Sequence, residues 1–494
     1  MWLALSSPID LAALPVPMLR IETVDRLRSG RLTRREWLSI GSLGGLSLAS
    51  GGTPAMGAAA WAQNAAGFGR AKGVILVFAS GGQSQLDMWD PKPLAPLDVR
   101  GAFQPISTAI PGVQFCEHMP RIARLADRFT LLRSMSHEDL DHGTAAYLAL
   151  TGCYHALRSG NPDPSPADAP TLGAILRRSR PSGRFVHDAI HLNGPALVPK
   201  TPAPGQDGGF LGRAFEPLVV GDVRVAAGGI PGLAANADLP TVRLEDRLSL
   251  KQSLDSFSQR LENNQRALDM NRHYQRALAM LASPQAREAF RLEAEPIALR
   301  ERYGLHRSGQ ALLMSRRLVE AGVPFVNVIW NHSNRGQDFD PKDTDQYGWD
   351  THNDIFDSLR DRLLPRFDAS FSALIEDLDQ RGMLDDTLVI CMGEFGRAPR
   401  VAVERNFAGV SPGRKHWAQV YSIVLAGAGI QRGAVVGASD RLGGEPVGEH
   451  FGPWDVAATI FNALGIDPRQ HYLDPFGRPL PISLGHPIEA LYGV

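Results

Sequence analysis

Short apolar runs that alternate with helix-forming segments constrain the fold of this chain more than any other feature. The first run, Val74–Phe78, is continuous and ends at a Ser-Gly-Gly sequence. The other three runs are Phe325–Trp330, Thr387–Met392 and Tyr421–Leu425. Uninterrupted apolar runs of this length are typical of strands buried on both faces. Helical spacing precedes the second and third runs, and strands alternating with helices predict an α/β fold, with a parallel sheet between helices.

The composition limits the classes of protein that this chain can be. It has 494 residues, of which 44% are hydrophobic and 21% charged, which indicates a globular protein with one large α/β domain or two to three smaller ones. Lys and Arg number 51 against 52 for Asp and Glu, so the net charge is −1, and no long basic run is present. We therefore expect no nucleic-acid partner. Three cysteines allow one disulfide at most and exclude a thiolate metal site.

The amino-terminal segment resembles an export signal. Residues 33–38 contain a pair of arginines, and no charged residue follows until after Gly69. This order, with small residues at 60–62 for signal peptidase, predicts a twin-arginine signal peptide with a long leader over residues 1–62. The export machinery would then be a partner, the location periplasmic or secreted, and no membrane span would remain after cleavage. The alternative is a retained transmembrane anchor, against which the glycines in this segment argue.

The remaining chain, residues 63–494, is predicted to form a single domain. The segment near 244–302 has apolar residues at three and four spacing and predicts two or three amphipathic helices beside the sheet. The segment near 158–215 is rich in Pro and Gly and predicts long loops or a small cap. An acidic stretch at 338–345 has some features of a calcium loop, but it lacks the turn glycine and the terminal Glu, which favours a solvated loop.

Polar residues that suit a divalent cation follow the apolar runs. In an open α/β sheet, functional loops lie at the carboxyl ends of the strands. The candidate metal ligands are Asp87, Asp350, His352, Glu394 and His416, and the candidate catalytic residues are Ser84, His142, Thr144 and Arg397. Imidazoles with carboxylates suit Zn, Mn, Fe or Mg. For each residue alone a structural role is open as well: a hydrogen-bonded His, a helix cap at Asp87, or a Glu394–Arg397 ion pair.

Five separated motifs resemble the bacterial family called domain of unknown function 1501. They occur in the same order as in that family and span almost the whole mature chain, behind a twin-arginine leader. The motifs are Gly81–Lys92, Asp141–Thr144, Trp349–His352, Gly393–Arg397 and Gly413–Trp417. The family is grouped with the alkaline phosphatase and sulfatase superfamily. This resemblance implies an alkaline phosphatase-like fold, in which a mixed, mostly parallel sheet is sandwiched between helices and metal ions lie at the strand ends.

The resemblance also implies roles for individual residues and shows where this chain departs from the superfamily. The superfamily's nucleophile position at the start of a helix corresponds to His142, and Ser80 stands where a ligand Asp is usual. Glu394-Phe395 replaces an Asp-His pair. The Asp and His of the other metal site resemble Asp350 and His352. The final ligand resembles His416, which follows Lys415 in place of the common Asp.

These departures favour one divalent cation over two. The core ligands would be Asp350, His352 and His416, with Glu394 or His142 completing the set, and Zn, Mn, Fe, Mg and Ca are not distinguished. The first hypothesis is an exported, sulfatase-like hydrolase of phosphate or sulfate esters, whose anionic substrate includes a sulfated or phosphorylated glycan. The second is a degenerate member that serves as a binding or scaffold protein at the cell envelope. Ser84 and Thr144 remain fallback nucleophiles.

Overall fold

The central sheet has eight strands in the part of the chain that the structure describes. This computed structural model describes residues 65–182, 188–198, 200–224, 288–331, 348–474 and 476–493. The strands are β1 (Gly73–Phe78), β2 (Pro105–Ser107), β3 (Gln114–Cys116), β4 (Thr130–Met135), β5 (Ala189–Leu192), β6 (Leu218–Val220), β7 (Phe325–Ile329), β8 (Thr387–Met392), β9 (Gly396–Arg397), β10 (His416–Trp417), β11 (Tyr421–Ala426), β12 (Ala434–Val436), β13 (Ala438–Ser439), β14 (Pro446–Val447), β15 (His471–Leu473) and β16 (Pro479–Pro481). The sheet order is β12-β4-β11-β8-β1-β7-β5-β6, and the other eight strands form four two-stranded sheets.

The sheet is mixed and mostly parallel, as predicted. Strand β1 lies at its centre and pairs in parallel with β7 and β8, in a register that places Val74 opposite Phe325 and Leu388. Strands β5 and β6 continue the parallel arrangement beyond β7. Strand β11 is the exception, because it runs antiparallel to both β8 and β4. The parallel direction predicted for the four apolar runs is therefore correct for three of them and wrong for Tyr421–Ala426.

Helices cover both faces of the sheet. They are α1 (Gln85–Met88), α2 (Leu97–Arg100), α3 (Pro120–Arg124), α4 (His142–Thr151), α5 (Leu172–Ser179), α6 (Ile297–Tyr303), α7 (Arg307–Glu320), α8 (Ile355–Ser358), α9 (Leu364–Gln380) and α10 (Pro453–Ala463). Single turns of 3-10 helix lie at Ala126–Arg128, Gly209–Leu211, Arg213–Phe215, Leu292–Ala294, Met383–Asp385 and Glu489–Tyr492, and Leu359–Leu363 is a π-helical turn between α8 and α9. None of the helices in these described segments is both long and apolar enough to cross a membrane.

Alternate residues of the strands fill two hydrophobic cores. Ile75 and Val77 of β1 pack with residues of α7 and α9 on one face. Val74 and Leu76 pack with residues of α4, α5 and α10 on the other. Because successive side chains of a strand point to opposite faces, a strand that is apolar throughout must be covered on both sides. This is why β1 occupies the centre of the sheet.

Some segments differ from their predicted structure, and others lie outside the described residues. The segment near 158–215, expected to be loops or a cap, contributes helix α5 and strand β5 of the central sheet, so that expectation is wrong for these elements. The leader over residues 1–62, the acidic stretch at 338–345 and most of the helical segment near 244–302 lie outside the described residues. All described residues belong to one compact unit, Thr53–Val494. The three cysteines are unpaired thiols.

Candidate metal centre

Five chain segments converge at the carboxyl edge of the sheet. Three of them follow the ends of β1, β7 and β8, and the fourth is the start of α4. The fifth carries His416, which comes before β11. Because β11 is antiparallel to β8, the start of β11 lies at the same edge as the end of β8. The reversed strand thus explains how a residue that precedes its strand joins residues that follow theirs.

Three imidazoles surround one carboxylate oxygen at this edge. Asp350 Oδ1 lies 3.1 Å from His142 Nε2, 3.0 Å from His352 Nε2 and 3.2 Å from His416 Nε2. The Nε2 atoms of His352 and His416 are 2.9 Å apart. We call these four residues the histidine–aspartate cluster. The side chain of His416 is 18% exposed and that of Asp350 13%, so the cluster opens to solvent on their side.

The hydrogen bonds of the Nδ1 atoms of His142 and His416, which point away from the cluster, determine the tautomer of each ring. His416 Nδ1 donates to the backbone carbonyl of Leu140 over 2.6 Å. His142 Nδ1 lies 2.6 Å from Glu394 Oε1. A carbonyl can only accept, and a carboxylate does the same, so both Nδ1 atoms carry protons and both Nε2 atoms direct a lone pair inward when the rings are neutral. This is the tautomer that a metal ligand needs.

Glu394 contacts His142 through Oε1, and its Oε2 is buried without a hydrogen-bond partner among the described residues. Its Oε1 also accepts the N–H of Gly81, 2.8 Å away, and its own backbone carbonyl accepts a hydrogen bond from His137 Nε2 at 2.6 Å. Glu394 is fully buried. In this geometry Oε1 of Glu394 orients the ring of His142, and the suggested role of Glu394 as a metal ligand stays a prediction.

Arg397 holds Asp350 from the protein side. Its Nη2 is 2.7 Å from Asp350 Oδ1, and its guanidinium has no exposed surface. The guanidinium also donates to four backbone carbonyls, those of Gly81, Gly82, Trp349 and Arg414. A guanidinium fastened in this way is a fixed positive charge beside the cluster.

The charges of the cluster are strongly coupled when it holds no cation. Burial alone would lower the pKa of His142, but the carboxylates of Asp350 and Glu394 outweigh it and raise that pKa to about 9. Burial and the charge of His142 lower the pKa of His416 to about 3, and burial also lowers the pKa of His352. Burial opposes ionisation of Asp350, yet His142 and Arg397 hold its pKa well below the usual range. Only His142 is therefore protonated at neutral pH.

The short separations within the cluster suit donors that share one cation. Zinc binds imidazole nitrogen at about 2.0–2.1 Å, so neighbouring donors of a tetrahedral site lie roughly 3.3 Å apart. The measured separations of 2.9 to 3.2 Å are close to this value. The donor atoms of His142, Asp350 and His416 all lie within 4.8 Å of one another, and His352 joins this group of three through its short distances to Asp350 and His416. His142 Nε2 is buried and lies 3.1 Å from Asp350 Oδ1, so a bound cation would take the place of the proton between these two atoms.

Asp87 is engaged elsewhere. Its two oxygens accept from Arg414, Oδ2 from Nε at 2.7 Å and Oδ1 from Nη2 at 2.9 Å. Ser84 Oγ donates to Asp87 Oδ2 over 2.5 Å and also caps helix α1. Both side chains of the ion pair are almost fully buried. The structure thus does not bring Asp87 or Ser84 into the histidine–aspartate cluster, although the sequence had grouped them with its residues.

Thr144 lies one turn into α4 and is also occupied. Its hydroxyl donates to Asp139 Oδ1 over 2.6 Å, and the side chain is fully buried. Helix α4 begins at His142, as predicted, and ends at Gly152, whose φ of 71° is the left-handed conformation that glycine adopts at helix ends. The helix therefore presents His142, and not Thr144, to the cluster.

Phe407 and Asn353 complete the surroundings of His352, and sequence reasoning missed both. The ring of Phe407 stacks on His352 with 3.6 Å between centroids and 6° between planes. Asn353 holds the Phe407 loop by donating to the carbonyls of Glu404, Phe407 and Ala408. A single aromatic residue in a polar loop gives no periodic signal. The Asn that directly follows His352 is the only hint that the sequence offers.

Solved structures that resemble the fold of this chain are distant in sequence. A phosphonate monoester hydrolase from Silicibacter pomeroyi is 13% identical, with a TM-score of 0.40 over 85% of this chain and 76% of that one. A PsFucS1 sulfatase from Pseudoalteromonas sp. is 14% identical, with a TM-score of 0.34 over 81% and 68%. An alkaline phosphatase from the Antarctic bacterium TAB5 is 12% identical, with a TM-score of 0.31 over 74% and 94%. At these values the activity must be argued from the residues of this chain.

Sequence comparison is more specific. No curated protein matches the chain. The family described as "Protein of unknown function (DUF1501)" matches residues 71–492, which include all four residues of the histidine–aspartate cluster together with Glu394 and Arg397. That span covers far more than half of the sequence, and the chain belongs to the DUF1501 family.

Proposed function

We propose that this protein is a metal-dependent hydrolase of phosphate or sulfate esters that uses one divalent cation. The observation that carries the proposal is the set of three Nε2 atoms placed 3.0 to 3.2 Å from Asp350 Oδ1. Three imidazole nitrogens with a single carboxylate favour Zn²⁺ or iron over Mg²⁺ and Ca²⁺, which prefer oxygen ligands. His142, Asp350, His352 and His416 would hold the cation.

Each residue of the site has a task in this proposal. His142 and His416 bind through Nε2, because Glu394 and the Leu140 carbonyl occupy their Nδ1 atoms. Such partners raise the basicity of a ligand imidazole and fix its orientation. The cation would supply Lewis acidity, which polarises an ester oxygen and makes water a better nucleophile. Arg397 keeps Asp350 in place from the protein side.

The charge of the loaded site suits an anionic ester. A divalent cation with the guanidinium of Arg397 gives three positive charges, and the carboxylates of Asp350 and Glu394 give two negative ones, so the sum is 3 − 2 = +1. A net positive charge at a partly buried site attracts a phosphoryl or sulfuryl group and stabilises the negative charge that develops during its transfer. A sulfated or phosphorylated glycan is one substrate of this class.

Direct attack by water agrees better with the geometry than a covalent intermediate does. The two fallback nucleophiles, Ser84 and Thr144, donate their hydroxyl protons to the carboxylates of Asp87 and Asp139. Neither hydroxyl contacts a residue of the histidine–aspartate cluster among the bonds that the structure gives them. A nucleophile needs a base within hydrogen-bond reach that also lies beside the reacting atom.

Metal analysis followed by ester turnover tests the proposal. Protein purified without chelator should contain about one transition-metal ion per chain, and it should hydrolyse aryl phosphate or aryl sulfate esters in a way that a chelator abolishes and the metal restores. Protein that holds the cation but hydrolyses neither ester class under any loading would favour the scaffold hypothesis. Protein that binds no cation would contradict the metal site itself.

We also propose export through the twin-arginine pathway, from the arginine pair at residues 34 and 35 and the uncharged segment behind it. Because this pathway carries folded proteins, the cation would be in place before translocation. Replacing Arg34 and Arg35 together by Lys should leave the precursor in the cytoplasm, measured by cell fractionation. Undiminished export of that variant would contradict the pathway and would favour a membrane anchor.

A further inference from the structure

Two buried polar side chains in the loop after β1 have no hydrogen-bond partner within the described segments. They are Ser80, whose hydroxyl has no partner, and Gln83, whose amide nitrogen and amide oxygen both lack one. Ser80 is fully buried and Gln83 is 4% exposed. Buried polar atoms without partners are rare in folded proteins, and each one calls for an explanation such as a ligand.

The loop that carries them is fastened to the metal centre. Gly81 and Gly82 lie between Ser80 and Gln83. The N–H of Gly81 donates to Glu394 Oε1, the oxygen that also bonds to His142. The carbonyls of Gly81 and Gly82 accept from Arg397, which in turn holds Asp350. Ser80 and Gln83 therefore flank the two residues that touch the support of the cluster.

The shape of this loop requires its two glycines. Gly81 and Gly82 have φ angles of 118° and 81°, which side chains rarely permit. A Cβ on Gly82 would lie 2.7 Å from the ring of Phe395. The loop thus takes a conformation that only glycine allows, and its result is that the side chains on either side are buried at the edge of the sheet where the cluster lies.

The neighbouring Gln85 shows that the same segment can satisfy a buried amide. Its Nε2 donates to the Arg397 carbonyl at 2.9 Å and to the Gly443 carbonyl at 3.2 Å, and its Oε1 accepts the Arg397 N–H at 2.9 Å. Gln83 lies two residues away and has none of these contacts. Gln85 is thus held within the fold, whereas the amide of Gln83 has no partner among the described residues.

We propose that Ser80 and Gln83 form an oxyanion subsite that prefers inorganic phosphate, the product of phosphate ester hydrolysis, to sulfate. This inference rests on the proposed function, because the anion would be held beside the cation. The Ser80 hydroxyl and the Gln83 Nε2 donate to oxygens of the anion. The Gln83 Oε1 can only accept, so it needs a proton on the ligand. Inorganic phosphate keeps a proton at neutral pH and sulfate keeps none, so sulfate leaves this acceptor unsatisfied.

The test compares Gln83→Leu with wild-type protein and with Gln85→Leu as the matched control. Metal content is measured first, and calorimetric titrations with inorganic phosphate and inorganic sulfate follow on the metal-loaded protein. The wild type should bind phosphate about tenfold more tightly than sulfate, and Gln83→Leu should lose that preference while it retains the metal. Ser80→Ala should weaken the binding of both anions.

Thermal stability without anion gives an independent measurement. Removal of an unsatisfied buried amide should raise the melting temperature of Gln83→Leu by about 1–2 °C, whereas Gln85→Leu should lower it. A Gln83→Leu variant that melts lower and keeps the phosphate preference would overturn the subsite alone. A wild type that binds the cation but prefers sulfate would also overturn the subsite and leave the metal site intact. Failure to bind any cation would overturn the proposed function together with the subsite.

Discussion

Two buried aspartates follow strands of the same sheet, but their surroundings differ. Asp87 faces one guanidinium, that of Arg414, with which it forms two hydrogen bonds, and Ser84 adds a third. Asp350 also meets a guanidinium, but its Oδ1 lies within 3.2 Å of three imidazole nitrogens as well. A carboxylate that accepts two hydrogen bonds from one Arg has its charge and its hydrogen bonds satisfied within the protein. Imidazole nitrogens that are directed at one oxygen form a set of ligands that lacks its cation.

This difference separates structural from functional residues better than residue type does. Asp87 is 1% exposed and its Arg414 partner is fully buried, and the hydrogen-bonding atoms of both side chains are already used within the protein. Asp350 is more exposed and lies on the open side of its cluster. Both residues are carboxylates that come after an apolar run, and only their partners distinguish them.

Substitutions at Asp350 and Asp87 should give the largest effects, and these effects should differ in kind. Asp350→Asn should lower the affinity for the cation by about a thousandfold or more, because it removes the one anionic ligand. Asp87→Ala should keep the metal but lower the free energy of unfolding by about 3–5 kcal/mol, because it leaves a buried guanidinium without its carboxylate. Metal titration and denaturant unfolding of both variants measure the two effects. Metal loss in Asp87→Ala at unchanged stability would reverse the assignment.

His142 and Ser84 offer the next largest contrast. His142→Ala removes an imidazole ligand and should lower metal affinity and ester turnover by about a hundredfold. Ser84→Ala removes a helix cap and should cost about 1 kcal/mol of stability with turnover changed less than threefold, roughly. Metal content and turnover are measured side by side. If Ser84→Ala alone is inactive while His142→Ala keeps metal and rate, the chemistry belongs to the first loop.

The Glu394→Gln variant tests whether Glu394 orients His142 or binds the cation itself. The amide keeps the shape of the carboxylate but accepts more weakly from His142 Nδ1, so metal affinity should fall by about 10- to 100-fold. The ligand set itself is unchanged, so spectra of a Co²⁺-substituted protein should keep their tetrahedral form. A change in coordination number in this variant would show that Glu394 is a ligand after all.

The pH dependence of metal binding gives the most gradual effect, because it is spread over several pH units. His142 has a pKa of about 9 without metal, whereas the pKa of His416 is about 3. A cation must displace the proton of His142, so below pH 9 its affinity should rise about tenfold per pH unit and level off above pH 9. Competition with a chelating dye from about pH 6 to about pH 10 measures the slope. A flat profile below pH 8 would contradict a protonated His142.

The sequence predicts the centre of the fold better than its edges. Strands β1, β7 and β8 are uninterrupted apolar runs because both of their faces are buried. The sequence does not predict strand β4, because Arg133 and Ser134 interrupt its apolar pattern. It does not predict strand β5 either, because this strand has only four residues and one of them is His191. The direction of β11 could not be read either, since a buried strand has the same apolar pattern in either direction.

The candidate site was predictable as a set of residue types, and less so as a set of roles. Asp350, His352, His416 and His142 could be grouped from their positions beside the apolar runs and from the family motifs. That Glu394 lies behind His142 depends on the turn at Gly81 and on His137, which hold it through hydrogen bonds between distant segments. Such contacts follow from the packing of whole elements, and no local pattern encodes them.

The reversed direction of β11 has a consequence for the order in which the protein matures. His416 reaches Leu140 across 276 residues of chain, so the cluster closes only after most of the sequence has been synthesised. At about 5–20 residues per second, the ribosome needs roughly 15–55 s to make that stretch. During this interval His142 is present without His416, and contacts between such distant residues form late in folding. A cation would therefore be bound only when the fold is complete. A truncated chain that ends before β11 would be released from the ribosome without the ability to assemble the site.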